Sequence, residues 1–152
     1  MLKGLDNRLN AEVLYALRAM GHGDTLVISD TNFPADSIAR ETVLGSLLRM
    51  ENLTCAQATE AVLSVFPLDT FVDDFAGRME VVGDPTRIEP VQAEVQLAID
   101  AAEGRPRPMI SIERFDFYDR ARQAYAVIQT GERRFYGCFI FRKGVIAPDA
   151  TT

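Results

Sequence analysis

Leu26, Val27 and Ile28 are three apolar residues in a row, bounded by Gly21-His22-Gly23-Asp24 before them and Ser29-Asp30 after. Successive side chains of a strand point to opposite faces, so an unbroken apolar run predicts a strand covered on both sides. This argues against a solvent-facing hairpin and for a parallel or mixed sheet with helices above and below. Helices of the required kind are legible on either side in the chain. Asn10 caps one that runs to Met20, with Val13, Leu14, Leu17 and Met20 on one face. Thr54 and Gln57 form a capping box for another, whose stripe of Ala58, Ala61, Val62, Val65 and Phe66 ends at Pro67. A third spans 91–102 and is broken by Arg105-Pro106-Arg107-Pro108.

Strands are expected between them at 47–50, 78–82, 109–112 and 124–130. Cys138 to Arg142 is expected to pair back on 124–130 as a hairpin partner across the turn 131–137. A short helical or irregular piece reaches Thr42, and a short helix follows Arg114. The alternation predicts a layered α/β/α domain with a mainly parallel mixed sheet and an antiparallel C-terminal hairpin. One domain over 1–152 suffices, with 145–152 a flexible tail.

Composition narrows the partners. A formal charge of −6 opposes sequence-independent binding to nucleic acid, because such binders carry a basic surface. No apolar run reaches the roughly 18 residues of a membrane span, and the N-terminus lacks a basic region followed by a secretory core. A cytoplasmic protein is the expectation. Cys55 and Cys138 make no close-spaced metal pair, and one histidine cannot complete a multi-His zinc site. Asp69, Asp73 and Asp74 lack the glycine turn and distal glutamate of a calcium loop and read as solvated charges.

His22 is the sole histidine, the residue type best suited to moving protons near neutral pH. Flanking glycines allow the ring to be presented to another molecule. The competing reading is a helix-capping Gly21 with His22 solvated beside it. Asp30, Arg114 and Tyr136 also fall at or beside strand ends, where ligands gather in α/β sheets. Phe33, held extended by Pro34, suits either a pocket wall or a core plug. Arg114 suits either a ligand contact or a salt bridge to Glu113 or Asp116.

Several strings together resemble a known family. They are Met20-Gly21-His22-Gly23-Asp24, Ser29-Asp30 with Phe33-Pro34-Ala35, Arg114-Phe115-Asp116-Phe117-Tyr118 with Arg120-Ala121, and Thr130-Gly131-Glu132 leading through Tyr136-Gly137 to Arg142-Lys143-Gly144-Val145. In this order and spacing they are similar to the L-fucose mutarotase family, which shares a superfamily with D-ribose pyranase. Residues 38–107 match more loosely. The resemblance implies a cofactor-independent, metal-free isomerase that interconverts the α and β anomers of L-fucose or a related monosaccharide. A ribose-type pyranase and a non-catalytic sugar binder are the alternatives.

The same resemblance implies a catalytic set of His22 as proton donor with Asp30 and Tyr136, the reciprocal base being unassigned. It implies a sugar-binding set of Asp30, Phe33, Arg114, Tyr136, Gly137 and Cys138. Asp30 either orients the imidazole or anchors a sugar hydroxyl. Cys138 departs from the asparagine usual there, and a thiol does not replace an amide's donors and acceptor. Relatives resemble rings of five stacked into decamers, with sites near subunit boundaries; a dimer is the competing homo-oligomer.

Overall fold

A computed structural model describes residues 1–151. Six strands form one sheet: β1 (Thr25–Ser29), β2 (Leu48–Met50), β3 (Ala76–Met79), β4 (Ile110–Ile112), β5 (Ala126–Thr130) and β6 (Cys138–Arg142). Five helices alternate with them: α1 (Ala11–Ala19), α2 (Ala35–Ala39), α3 (Cys55–Leu63), α4 (Pro90–Glu103) and α5 (Arg114–Arg122). Strand order is β2-β5-β1-β6-β3-β4.

The run Leu26-Val27-Ile28 lies at the centre of this sheet and supplies both cores. Leu26 and Ile28, with Ile128, Phe139 and Phe141, face α1, α3 and α4. Val27, with Val127, Cys138 and Ile140, faces α2 and α5. Phe139 and Phe141 are fully buried, each contributing about 1.5–3 kcal/mol. Local signals start the helices as expected: the Asn10 side chain accepts the Val13 N–H, and the Thr54–Gln57 capping box is complete. A second capping box, between Glu89 and Gln92, opens α4. Val145 to Thr151 are exposed and carry neither helix nor strand; Thr152, the last residue of the expected tail, lies outside the described residues.

The C-terminal strand is antiparallel, but it does not form the expected hairpin. β5 runs parallel to β1 and β2, while β6 runs antiparallel to β1 and β3, so β1 separates β5 from β6. The connection 131–137 exceeds the two to five residues of common hairpin loops. It crosses the C-terminal end of β1, a step of two strand spacings or about 10 Å. β3 begins two residues earlier than expected and ends three residues earlier, at Met79, so Gly77 lies inside the strand. Its missing side chain is the space into which Ile110 and Ile112 of β4 pack.

Gly131 starts the crossing loop where a Cβ would overlap the carbonyl oxygen of Glu51, a backbone atom that has little room to retreat. Gly131→Ala is expected to lower stability by about 1–3 kcal/mol in urea unfolding with an unchanged m-value. A midpoint equal to that of the parent would show that the crossing tolerates a side chain there.

Candidate functional site

A cleft of about 300 Å³ opens where the crossing loop passes the end of β1. Asp30, Asn32 and Phe33 line it from the turn after β1, Arg114 and Tyr118 from α5, Phe135, Tyr136 and Cys138 from the loop and β6, and Met79 and Val82 from the β3 side.

Asp30 is 3% exposed and is held almost entirely by backbone. Its Oδ1 accepts the N–H groups of Asn32 and Phe33, both at 2.9 Å, and its Oδ2 accepts that of Gly137 at 3.0 Å. A carboxylate offers about four acceptor positions, so three are filled. The fourth faces the Cys138 sulfur at 3.7 Å. Burial, reinforced by the Asp30 charge, pushes the Cys138 thiol well above its ordinary range and keeps it protonated. Because S–H is a weak donor, this is the acceptor position that a stronger donor, such as a ligand hydroxyl, can take over.

Tyr136 is the one non-glycine residue with left-handed backbone among the described residues, at φ 62°. Such a conformation costs on the order of 1–3 kcal/mol and persists only where neighbours impose it. Its hydroxyl accepts the Val82 N–H at 3.2 Å, leaving the phenolic proton available to the cleft, and its carbonyl accepts from Gln92 Nε2 at 3.3 Å. The loop is also tied down at Glu132, which is buried and bonded to the Arg134 side chain at 2.9 Å. Arg134 forks onward to Glu94 of α4 at 2.8 and 2.7 Å. Hydrogen bonding to Arg134 holds the Glu132 carboxyl below its usual range.

Phe33 satisfies both sequence readings. It is buried edge-on against Phe117, with centroids 5.8 Å apart, while also forming part of the cleft wall beside Tyr118. Arg114 opens α5 behind the N-cap Glu113 and is exposed. It makes no salt bridge among the described residues, and Asp116 pairs with Arg120 instead, so the structural ion pair is excluded. Its Nε donates to the Tyr118 hydroxyl at 3.4 Å, leaving the terminal guanidinium nitrogens available.

His22 is not in this cleft. It precedes β1 while Asp30 follows it, and the five residues of the strand alone span about 17 Å. Its Nε2 lies 3.1 Å from Oδ2 of Asp69, and its ring meets Phe71 edge-on at 5.7 Å. A carboxylate only accepts, so Nε2 donates and Nδ1 is the nitrogen left for proton exchange. Asp30 therefore does not orient the imidazole; Asp69 does. The reading of Asp69 as a solvated charge is overturned, since it is 3% exposed. Its Oδ1 accepts the Phe71 N–H at 3.0 Å, and its carbonyl accepts from Arg107, whose guanidinium lies 3.7 Å over the Phe75 ring.

Nothing near Asp69 in the sequence announces this pairing across 47 residues. It arises because the Asp69 N–H bonds Arg142 O at the far end of β6. The helix-capping reading of Gly21 also fails: Met20 is the C-cap, and the Lys143 ammonium takes the Leu17 and Met20 carbonyls at 2.6 Å each. The imidazole remains 45% exposed. A wider cleft of about 420 Å³ lies near this end, beside Gly23 and Thr25. Its arginines are already paired, Arg142 with Asp74 and Arg120 with Asp116, and it lacks the aromatic wall of the first.

A model of the RbsD / FucU transport protein family matches residues 3–146. The chain is 46% identical over 150 residues to the fucose mutarotase of Homo sapiens, covering 96% of this chain and 95% of that one. The crystallised protein Atu2016, described as a candidate sugar-binding protein, superposes with a TM-score of 0.95 at 63% identity over 97% of both chains. The fucose mutarotase of Streptococcus pneumoniae in complex with L-fucose superposes with a TM-score of 0.85 at 30% identity, over 96% of this chain and 100% of that one.

Burial also raises the Cys55 thiol, to about 12, against the opposing effect of its hydrogen bond with Thr130. Both thiols are expected to resist a thiol-disulfide reagent at pH 8 in the native protein and to react fully in urea. Rapid native reaction located at Cys138 by peptide mapping would contradict a protonated Cys138 held under Asp30.

Proposed function

This chain belongs to the RbsD / FucU family, and from that premise we infer that it is a cofactor-independent isomerase interconverting the α and β anomers of L-fucose. The observation that carries the substrate is the superposition of a relative bound to L-fucose over 96% of the chain. A pyranose is a cyclic hemiacetal. Protonation of the ring oxygen and loss of the anomeric hydroxyl proton open it to the aldehyde, and rotation about C1–C2 followed by reclosure gives the other anomer. No electron changes hands, and a positioned acid and base suffice, each contributing typically about 10²- to 10⁴-fold.

In this reading the cleft binds the sugar. The acceptor position of Asp30 facing Cys138 takes one hydroxyl, and the free guanidinium of Arg114 holds others through its fixed fork. The Tyr136 phenol donates or relays a proton. Phe33 and Tyr118 offer an apolar wall to the ring. Gly137 shapes the site through its N–H on Asp30, and the Cys138 thiol yields its place to substrate.

The acid, His22, comes from a second copy of the chain. The separation along β1 supports this, since one monosaccharide cannot reach both ends of the strand. So do the surfaces: His22 stands exposed beside Phe71, which is 71% exposed, whereas exposed Phe115 and Phe135 flank the cleft at the opposite end. Two different apolar patches on one chain fit a head-to-tail contact, the kind that closes into rings. A homo-oligomer is thus part of the proposal. Cytoplasmic residence is as well, and the unpaired buried thiols Cys55 and Cys138 support it.

Anomer exchange followed by NMR is expected to speed up strongly with L-fucose. No acceleration with L-fucose beside strong acceleration with D-ribose would replace the proposed activity with a pyranase. Neither effect, with sugar still bound, would leave a binder.

His22→Ala and Arg114→Ala are each expected to abolish most of the rate. Unfolded together in equal amounts and refolded into mixed oligomers, they should recover roughly a quarter of the wild-type rate, because one interface in four then pairs an intact imidazole with an intact guanidinium. Mixed oligomers that stay inactive would rule out a site shared between copies.

A further inference from the structure

We propose that Gln92 of α4, which does not line the cleft, is a positioning residue for the reaction, setting both the Tyr136 side chain and the Gly137 N–H. The inference rests on the assignment of the cleft as the sugar site. Gln92 is fully buried in the same helix turn as the apolar Val91 and Val95, where a hydrocarbon of equal volume would meet every packing need. Both amide donors and the amide oxygen are employed instead. Oε1 accepts the Glu89 N–H at 3.1 Å, and Nε2 donates to Met79 O at 2.8 Å and to Tyr136 O at 3.3 Å.

The second of these carbonyls belongs to the residue held in left-handed backbone. Tyr136 is therefore gripped at both ends, by Gln92 at its carbonyl and by the Val82 N–H at its phenol. The peptide whose oxygen Gln92 holds is the one whose nitrogen, on Gly137, bonds Asp30. One side-chain amide thus fixes the orientation of a peptide unit whose nitrogen supports the carboxylate and whose preceding residue carries the phenol. If that peptide flips or drifts, both groups move together. A misplacement of about 1 Å costs on the order of 10²-fold in rate.

Helix capping alone does not account for the amide. A glutamate at the third position completes a capping box as well as a glutamine does. Gln92→Glu therefore separates the two roles, keeping an acceptor for the Glu89 N–H while turning an oxygen toward two carbonyl oxygens. Burial among acceptors raises the pKa of such a carboxyl, and its protonated form regains one donor. The sign follows: the clamp is absent in Gln92→Glu at high pH and partly restored as pH falls.

The test compares the parent, Gln92→Glu and Gln92→Met in L-fucose exchange from pH 8 to pH 5.5, with circular dichroism at each pH and hydrogen exchange at the Gly137 amide. The expected result is a fall in kcat of about 10- to 100-fold for both variants at pH 8. The loss should shrink toward pH 5.5 for Gln92→Glu alone, and Gly137 protection should drop at least tenfold in folded protein. Parent-like rate and protection in the variants would overturn the proposal. So would a loss that is the same at every pH in both variants and tracks their melting temperatures. Gln92→Met, which adds no charge, carries the test if Gln92→Glu fails to fold. A parent without L-fucose exchange would sink the activity assignment instead, and Gly137 protection would still decide whether Gln92 sets that peptide.

Discussion

The carboxylate of Asp30 joins two segments of chain that meet only in the folded protein. Two of its backbone bonds close the turn after β1, and a third reaches Gly137 at the far side of the loop that crosses that strand. Hydrogen bonds to a charged group contribute about 1.5–3 kcal/mol each, and the buried charge would be costly without them. The crossing loop, the entry to β6 and the floor of the cleft are consequences of this one anchor. Because backbone donors occupy three of its acceptor positions, the group at the centre of the cleft is rigid and only one position is left for a ligand.

The sheet keeps the two chemically equipped ends of the molecule apart. At one end Asp30, Arg114 and Tyr136 surround a cleft, and at the other Asp69 aims His22 outward, itself braced by Arg107 lying on Phe75. A five-residue strand buried on both faces does not bend to bring them together. Neither end holds both the imidazole and the cleft, and the proposed pairing of copies follows from that rigidity. The Cys138 thiol belongs to the same economy of donors, since its weak S–H on Asp30 is readily exchanged for a stronger hydroxyl donor.

What could be read from the chain was set by interactions within a few residues. The Asn10 and Thr54 caps, the stripe of α3 and the doubly buried β1 are local patterns with local causes, and they gave the layered α/β class. The expected hairpin is absent because adjacency in sequence does not impose adjacency in the sheet. The length of 131–137 was the signal against it. The role of Asp69 is not legible locally, because a loop carboxylate next to others in sequence says nothing about a histidine 47 residues away.

The sequence by itself determined which segments become strands and helices, which faces they bury, and the family motifs that carry Asp30, Phe33, Arg114, Tyr136 and Gly137, with Cys138 as the departure from them. Only the tertiary structure decided that β1 separates β5 from β6, that Asp69 rather than Asp30 holds the imidazole, and that His22 and Asp30 look toward opposite ends of the molecule. The physical reason is one of range. Capping and amphipathic periodicity act over three or four residues, whereas strand order and the pairing of buried charges depend on contacts whose partners are far apart along the chain.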